Sequence, residues 1–267
     1  MDVEKTLRDL GIKPVKGQNF LTSTHVVEAL VESGEVEDET VLEIGAGTGV
    51  ITGELADRAE KVYALEKDTT LAAHLEDRFS GTENVEVVNE DFFDYEIPEV
   101  DRCVSNLPFE ISSDAIEKLG ERQVQSSLIL QKELAERMVA DPGDPEYGPF
   151  TVLSNYYFVP VKLKDVPGHC YYPEPEVDTS IVKLYPNRER HGVEDEDRFF
   201  RMSKALFTHK KKKARNAFVD ARHILDISKD RAKEVRDDIP HSEKRVFQLE
   251  LREIADIAEA FSGIQER

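Results

Sequence analysis

Asn106-Leu107-Pro108-Phe109 is the stretch of this 267-residue chain whose residue types and order are best suited to chemistry. It follows an apolar run of strand character (Val100, Cys103, Val104) and precedes a helical stretch from Ser112, so it sits where a strand ends. The Asn side chain offers a carbonyl acceptor, while proline lacks an N–H and fixes the local backbone. The carbonyl of Leu107 is then free to point outward, beside the flat apolar face of Phe109. Two acceptors next to an aromatic platform suit a planar amine, such as the exocyclic amino group of adenine. The tetrapeptide alone is not specific; its neighbours decide.

Elements that could position it are read from the order of apolar runs. Residues 1–35 look helical, with a loop at Gly17-Gln18-Asn19-Phe20-Leu21 and a helix capped near Thr22 to Thr24. From Thr40, strands (Val41–Ile44, Val62–Leu65, Val85–Val88, the run before Asn106, Ser126–Leu130) alternate with helices (Val50–Ala59, Thr69–Phe79, one around Ala115). Such alternation predicts an open parallel sheet with helices on both faces. After Phe150 the pattern changes: Val152–Leu163 and Ser180–Leu184 read as strands with no helix between them, compatible with an antiparallel edge pair. Glu189 to Asp197 is a charged connector, and residues 198–267 carry helical periodicity only. The expected architecture is α/β, a Rossmann-like sheet domain over 1–188 followed by a small all-helical domain over 189–267.

Glu43-Ile44-Gly45-Ala46-Gly47-Thr48-Gly49 joins the first of these strands to its helix. Glycines let the backbone turn tightly and approach a ligand at a helix N-terminus. Dinucleotide-binding sheets use a similar turn, but here the third glycine comes one residue early, and the preceding Glu favours a methyltransferase. No Lys-Ser or Lys-Thr follows, which excludes a nucleotide-triphosphatase loop. Glu66 ends the second strand, where a carboxylate can accept both ribose hydroxyls of an adenosyl group. Asp91 ends the third and could hold an adenine amine, with Phe92 or Phe93 beside the ring; strand register favours it over Asp94.

Taken in order, Gln18-Asn19-Phe20-Leu21, Glu43-Ile44-Gly45-Ala46-Gly47, Glu66, Asp91 and Asn106-Leu107-Pro108-Phe109 resemble the small-subunit ribosomal RNA adenine N6,N6-dimethyltransferase family, in an archaeal-like form. Leu130-Gln131-Lys132-Glu133 with Ala135-Glu136-Arg137, and Tyr171-x-Pro-x-Pro-x-Val177-Asp178-x-Ser180, extend the resemblance over nearly the whole chain. It implies S-adenosylmethionine, without a metal, held by Asn19, Leu21, Gly45, Gly47, Glu66, Asp91 and Asn106, with the loop at Asn19 closing over the methionine end. It implies a catalytic set of Asn106, Leu107, Pro108 and Phe109, with Tyr171 on the second face of the target base. Many relatives carry Tyr where this chain has Phe109; stacking survives loss of the hydroxyl. The implied reaction is dimethylation of two adjacent adenosines in a loop near the 3′ end of small-subunit rRNA, on the immature small subunit, by a cytoplasmic monomer.

Composition sets the boundaries. Lys and Arg number 35 against 55 Asp and Glu, a net charge of −20 that by itself points away from nucleic acid. The acid is spread along the chain, as a solubility device in a salt-rich cytoplasm would be. Against that background Lys210, Lys211, Lys212, Lys213 and Arg215 form a local basic run. A solvated helix face is the ordinary explanation of such a run, and an RNA-phosphate contact is the alternative. Cys103 and Cys170 have no metal spacing, no segment approaches the roughly 20 apolar residues of a membrane span, and the N-terminus lacks the marks of a signal peptide. A ribosome-assembly factor whose catalysis is secondary remains an alternative; a DNA adenine methyltransferase would share the pocket but not the helical domain.

Overall fold

Residues buried on both faces of a parallel sheet read as continuous apolar runs, and Val41, Leu42, Val62, Ala64, Cys103, Val104, Leu128 and Ile129 are all buried strand residues. The computed structural model describes residues 2–15, 17–189 and 193–265, so Met1, Lys16, residues 190–192 of the charged connector and the last two residues lie outside the description. In chain order it has α1 (Val3–Asp9), β1 (Phe20–Leu21), α2 (Thr24–Gly34), β2 (Thr40–Ile44), α3 (Val50–Ala56), β3 (Lys61–Leu65), α4 (Thr69–Arg78), β4 (Val85–Val88), β5 (Arg102–Asn106), α5 (Ser112–Glu121) and β6 (Gln125–Gln131). There follow α6 (Lys132–Met138), α7 (Pro149–Tyr157), β7 (Phe158–Val166), β8 (Tyr171–Tyr172), β9 (Thr179–Pro186) and the helices α8 (Glu196–Phe207), α9 (Ala214–Asp220), α10 (Lys229–Val235) and α11 (Leu251–Gln265).

Seven strands form one sheet in the order β4-β3-β2-β5-β6-β9-β7. Strands β2 to β6 pair in parallel, and β9 lies antiparallel to β6 from Ser126↔Leu184 to Gln131↔Thr179. Chain order reverses between β2 and β5, the switch point at which doubly wound sheets open a crevice. Those two strands pair only at Val41↔Arg102 and Leu42↔Cys103. Beyond that the Ser105 hydroxyl bridges them, accepting the Ile44 N–H at 2.6 Å. The sheet is the Rossmann-like α/β arrangement expected from the alternating pattern.

Two local expectations change. Val152 to Tyr157 is helical, not strand: Pro149 occupies the first turn, the Gly148 N–H donates to the Thr151 hydroxyl at 3.2 Å, and the Asn155 amide reaches the carbonyls of Thr151 and Met138. Its β-branched and aromatic residues suit either state, and burial of Val152 and Tyr156, four apart, selects the helix. Conversely, the expected loop at 17–21 contains a short strand, because Phe20 and Leu21 pair antiparallel with Tyr172 and Tyr171.

The chain divides into two compact units, the first running to Ala135 and including Val159–Pro186, the second comprising Glu136–Phe158 and the residues from Asn187 onward. The segment 136–158, placed by sequence in the first domain, therefore groups with the C-terminal helices. Its aromatic residues supply the reason: Tyr156 packs on Phe199 with ring centroids 5.4 Å apart, and the Tyr147 hydroxyl donates to the Leu249 carbonyl at 2.7 Å. Among the described residues no helix is long and apolar enough to cross a membrane.

Gly45, Gly47 and Gly49 all have positive φ. At Gly49 (φ +78°) an added Cβ would stand 2.7 Å from Leu75 Cδ2, so both conformation and space require glycine. Gly49→Ala is expected to lower stability by about 2–4 kcal/mol, combining left-handed strain with overpacking, as read by urea denaturation.

Candidate active site

Gly turn, β3 end, β4 end and β5 end converge on one cavity of about 240 Å³ in the first unit. Asn19, Leu21, Gly45, Gly47, Glu66 and Asp91 line it, as do Asn106, Leu107, Pro108 and Phe109. The two loops touch: a Cβ on Gly45 would lie 3.4 Å from the Pro108 ring, so the Asn-Leu-Pro-Phe segment rests on the glycine turn. The ring of Phe20 lies 3.2 Å from where a Gly47 Cβ would be, closing the N-terminal segment onto the same turn.

Polar groups in the cavity are committed in a definite way. Glu66 is 7% exposed; its Oε2 accepts the Gly47 N–H at 2.8 Å and its Oε1 the Asp68 N–H at 2.9 Å. Each carboxylate oxygen keeps a further lone pair for a ligand hydroxyl. Burial raises the Glu66 pKa, with the two backbone bonds opposing. Glu43, 1% exposed, accepts from the Thr52 hydroxyl at 2.6 Å. Burial pushes its carboxyl up to about 8, with the Glu66 charge adding to the rise while Thr52 and Arg78 oppose it. Asp91 uses Oδ1 to cap the Phe93 N–H at 2.9 Å. Asn106 donates through Nδ2 to the Asn19 carbonyl at 3.0 Å, and its Oδ1 is buried with no hydrogen-bond partner among the described residues. A buried acceptor left without a donor costs stability.

Tyr171 is the exception among the catalytic and cofactor residues expected from sequence. It does not line the cavity: its ring is 5% exposed in the core beside Leu21, Val166 and Ile181, and its hydroxyl bonds the Thr179 hydroxyl at 2.6 Å. Pairing of β8 with β1 turns it inward, so it anchors the N-terminal segment and does not wall the pocket. In the second unit the basic run is largely engaged. Lys210 reaches the Pro145 carbonyl, Lys212 pairs with Asp220 at 2.7 Å, Lys213 with Glu243 at 2.5 Å, and Arg215 with Glu243 and Asp237. Such exposed pairs are worth about 0–1 kcal/mol each.

Two residues that sequence reasoning missed support the cavity from behind. Lys118 on α5 donates to the carbonyls of Phe92 (2.6 Å), Phe93 (3.3 Å) and Tyr95 (2.8 Å), and its ammonium lies 4.7 Å from the Phe92 ring centroid. It thereby pins the loop that carries Asp91. Arg78 on α4 donates to the Thr48 carbonyl at 2.7 Å and holds the glycine turn. Neither has a sequence signal, because each acts across about 25–30 residues of intervening chain.

A doubly wound sheet with a glycine turn after the first parallel strand, acids ending the next two and an Asn-Leu-Pro-Phe segment ending the fourth defines a Rossmann-like methyltransferase. The profile of the family described as "Ribosomal RNA adenine dimethylase" matches residues 11–249, and the chain belongs to that family. It is 38% identical over 248 residues to "Probable ribosomal RNA small subunit methyltransferase A" of Thermococcus sibiricus, spanning 91% of this chain and 89% of the relative. Among solved structures it resembles a dimethyladenosine transferase from Plasmodium falciparum (TM-score 0.81, 26% identity, 92% of this chain and 98% of that one). It also resembles the 23S rRNA methyltransferase ErmE (TM-score 0.68, 25% identity, 91% and 99%).

The family uses S-adenosylmethionine, and the cavity fits it: an acid with free lone pairs at the β3 end, a second acid at the β4 end, a tight glycine turn, and at Asn106 a buried acceptor with no partner among the described residues. Lys118→Met is expected to weaken binding of S-adenosylhomocysteine about tenfold, measured by calorimetry, by freeing the Asp91 loop at a cost near 1.4 kcal/mol. Glu43 gives a pH signature. A carboxyl raised from 4.5 to about 8 makes the folded protein bind more protons than the unfolded chain between those values, so its ionisation removes stability as pH rises through that window. Glu43→Gln should flatten this dependence and raise Tm by several degrees at pH 8, with little effect at pH 5, in thermal unfolding scans.

Proposed function

We propose that this protein transfers methyl groups from S-adenosylmethionine to the N6 amines of two adjacent adenosines in a loop near the 3′ end of small-subunit rRNA. The observation that carries this reading is Asn106, which lines the cavity that also holds the glycine turn, Glu66 and Asp91 and whose buried Oδ1 has no hydrogen-bond partner among the described residues. Glu66 would hold the ribose hydroxyls, Asp91 the adenine amine, and Asn19, Leu21, Gly45 and Gly47 the remainder of the cofactor. The cofactor supplies a methyl already activated by its sulfonium, so the reaction calls for no metal.

The residues of the chain do the rest. An adenine amine is a poor nucleophile because its lone pair is delocalised into the ring. Asn106 Oδ1 and the Leu107 carbonyl accept its two hydrogens, and these bonds strengthen as the nitrogen becomes positive, favouring the transition state over the ground state. Pro108 withholds a competing donor, and Phe109 stacks on one face of the base. The proton leaves to water after transfer. A target in a loop leaves its stack at modest cost. The second transfer needs room for one methyl beside the acceptors.

Lys210, Lys211, Lys212, Lys213 and Arg215 would meet rRNA phosphates by exchanging their carboxylate partners for them. The substrate in this reading is the immature small subunit, and the enzyme is a cytoplasmic monomer. Small-subunit rRNA is preferred to other rRNA because the relatives of that name share more than a third of their residues with this chain over nine tenths of its length.

Methyl transfer from labelled S-adenosylmethionine to immature small subunits tests the reading. Wild type should label two adjacent adenosines, and Asn106→Ala should lose about 10²–10³-fold in kcat, near 3 kcal/mol of barrier, by analogy with one lost oxyanion donor. Wild type that binds subunits but transfers no methyl would favour a pure assembly factor and sink the enzyme reading.

A further inference from the structure

An asparagine amide has two ends of nearly equal size, and only one of them can accept from an amine. Asn106 Nδ2 lies 3.0 Å from the backbone carbonyl of Asn19, while Oδ1 is buried with no hydrogen-bond partner among the described residues. Reversing the amide would set two carbonyl oxygens about 3.0 Å apart and point an N–H at the substrate amine, donor against donor. The carbonyl of Asn19 thus selects the productive orientation.

What fixes that carbonyl is tertiary. Phe20 and Leu21 pair with Tyr172 and Tyr171, and the Thr22 N–H and hydroxyl both donate to the Cys170 carbonyl, at 2.8 and 2.9 Å. On the other side the Phe20 ring rests against Gly47 of the cofactor turn. The segment is clamped between the β8 region and the glycine turn, and Tyr171 is locked to Thr179 beneath it.

We propose that the N-terminal clasp, acting through the Asn19 carbonyl, is a positioning device that sets Asn106 as an acceptor toward the target amine. This rests on the methyl-transfer reading above. Its consequence is that the segment lining the cofactor cavity also determines whether the target amine is met correctly. An unseated clasp leaves Asn106 free to turn its N–H toward the substrate.

Asn106→Asp tests it. The carboxylate form has two acceptors but repels the Asn19 carbonyl; the acid form donates its O–H to that carbonyl and accepts the amine with its other oxygen. Carbon-13 NMR titration of the substituted carboxyl in the ligand-free protein should give a half-point well above the ordinary carboxylate range of about 3.9. The ratio of variant to wild-type kcat on immature subunits should then rise on acidification, about tenfold per pH unit above the half-point. Glu43, Glu66, Lys67, Glu90, Asp91 and Glu110 line the same cavity in both proteins, so the ratio isolates the substituted group. Burial alone predicts the opposite sign, since the carboxylate would be the better acceptor. An ordinary half-point, or a ratio that is flat or falls on acidification, overturns the proposal. Wild type without methyl transfer would defeat the functional reading instead, and the ligand-free titration would still report on the Asn19 contact.

Discussion

Everything at the active site depends on the early parting of β2 and β5. Two parallel strands that paired along their whole length would leave no room between their carboxyl ends. Here pairing stops at Leu42↔Cys103, and the Ser105 hydroxyl takes over the Ile44 N–H. That one side-chain bond satisfies a buried donor that the missing ladder would otherwise orphan. It lets the glycine turn after β2 and the Asn-Leu-Pro-Phe segment after β5 diverge, then meet again where Pro108 lies on Gly45. The cavity is the space between them.

Charge in this cavity is handled by backbone more than by countercharge. Glu66 spends one lone pair of each oxygen on the N–H groups of Gly47 and Asp68, which fixes its orientation and leaves each oxygen a further lone pair. Glu43 lies deeper, and burial with its neighbour Glu66 holds its pKa high. Two buried acids this close are tolerable because one of them remains protonated near neutrality. Arg78 ties down the Thr48 carbonyl of the glycine turn, and Lys118 the carbonyls of Phe92, Phe93 and Tyr95 in the loop after Asp91.

The N-terminal segment shows how a weak local signal becomes a determinant. Phe20 and Leu21 form only a two-residue strand, yet their pairing with Tyr172 and Tyr171 accompanies a carbonyl, that of Asn19, set against the Asn106 amide. Tyr171 accordingly changes role. Its residue type and surroundings suit a stacking wall, but strand pairing turns the ring into the core and gives its hydroxyl to Thr179. The basic run changes less: its charges are present, but most already hold carboxylates of the same unit.

Glycine spacing, acids at strand ends and an Asn-Leu-Pro-Phe segment after a strand were legible from sequence because each is a local requirement: a positive φ, a strand terminus, a missing N–H. The alternating pattern likewise determined the α/β sheet, since burial on two faces demands continuous apolar runs. Val152 to Tyr157 reads as strand in sequence, and folds as helix, because β-branched and aromatic residues satisfy either state until packing chooses. Lys118, Arg78, the inward turn of Tyr171 and the orientation of Asn106 were decided by the tertiary structure alone. Each depends on a backbone carbonyl or hydroxyl brought close by folding, and the position of a carbonyl is not written in the residue that carries it.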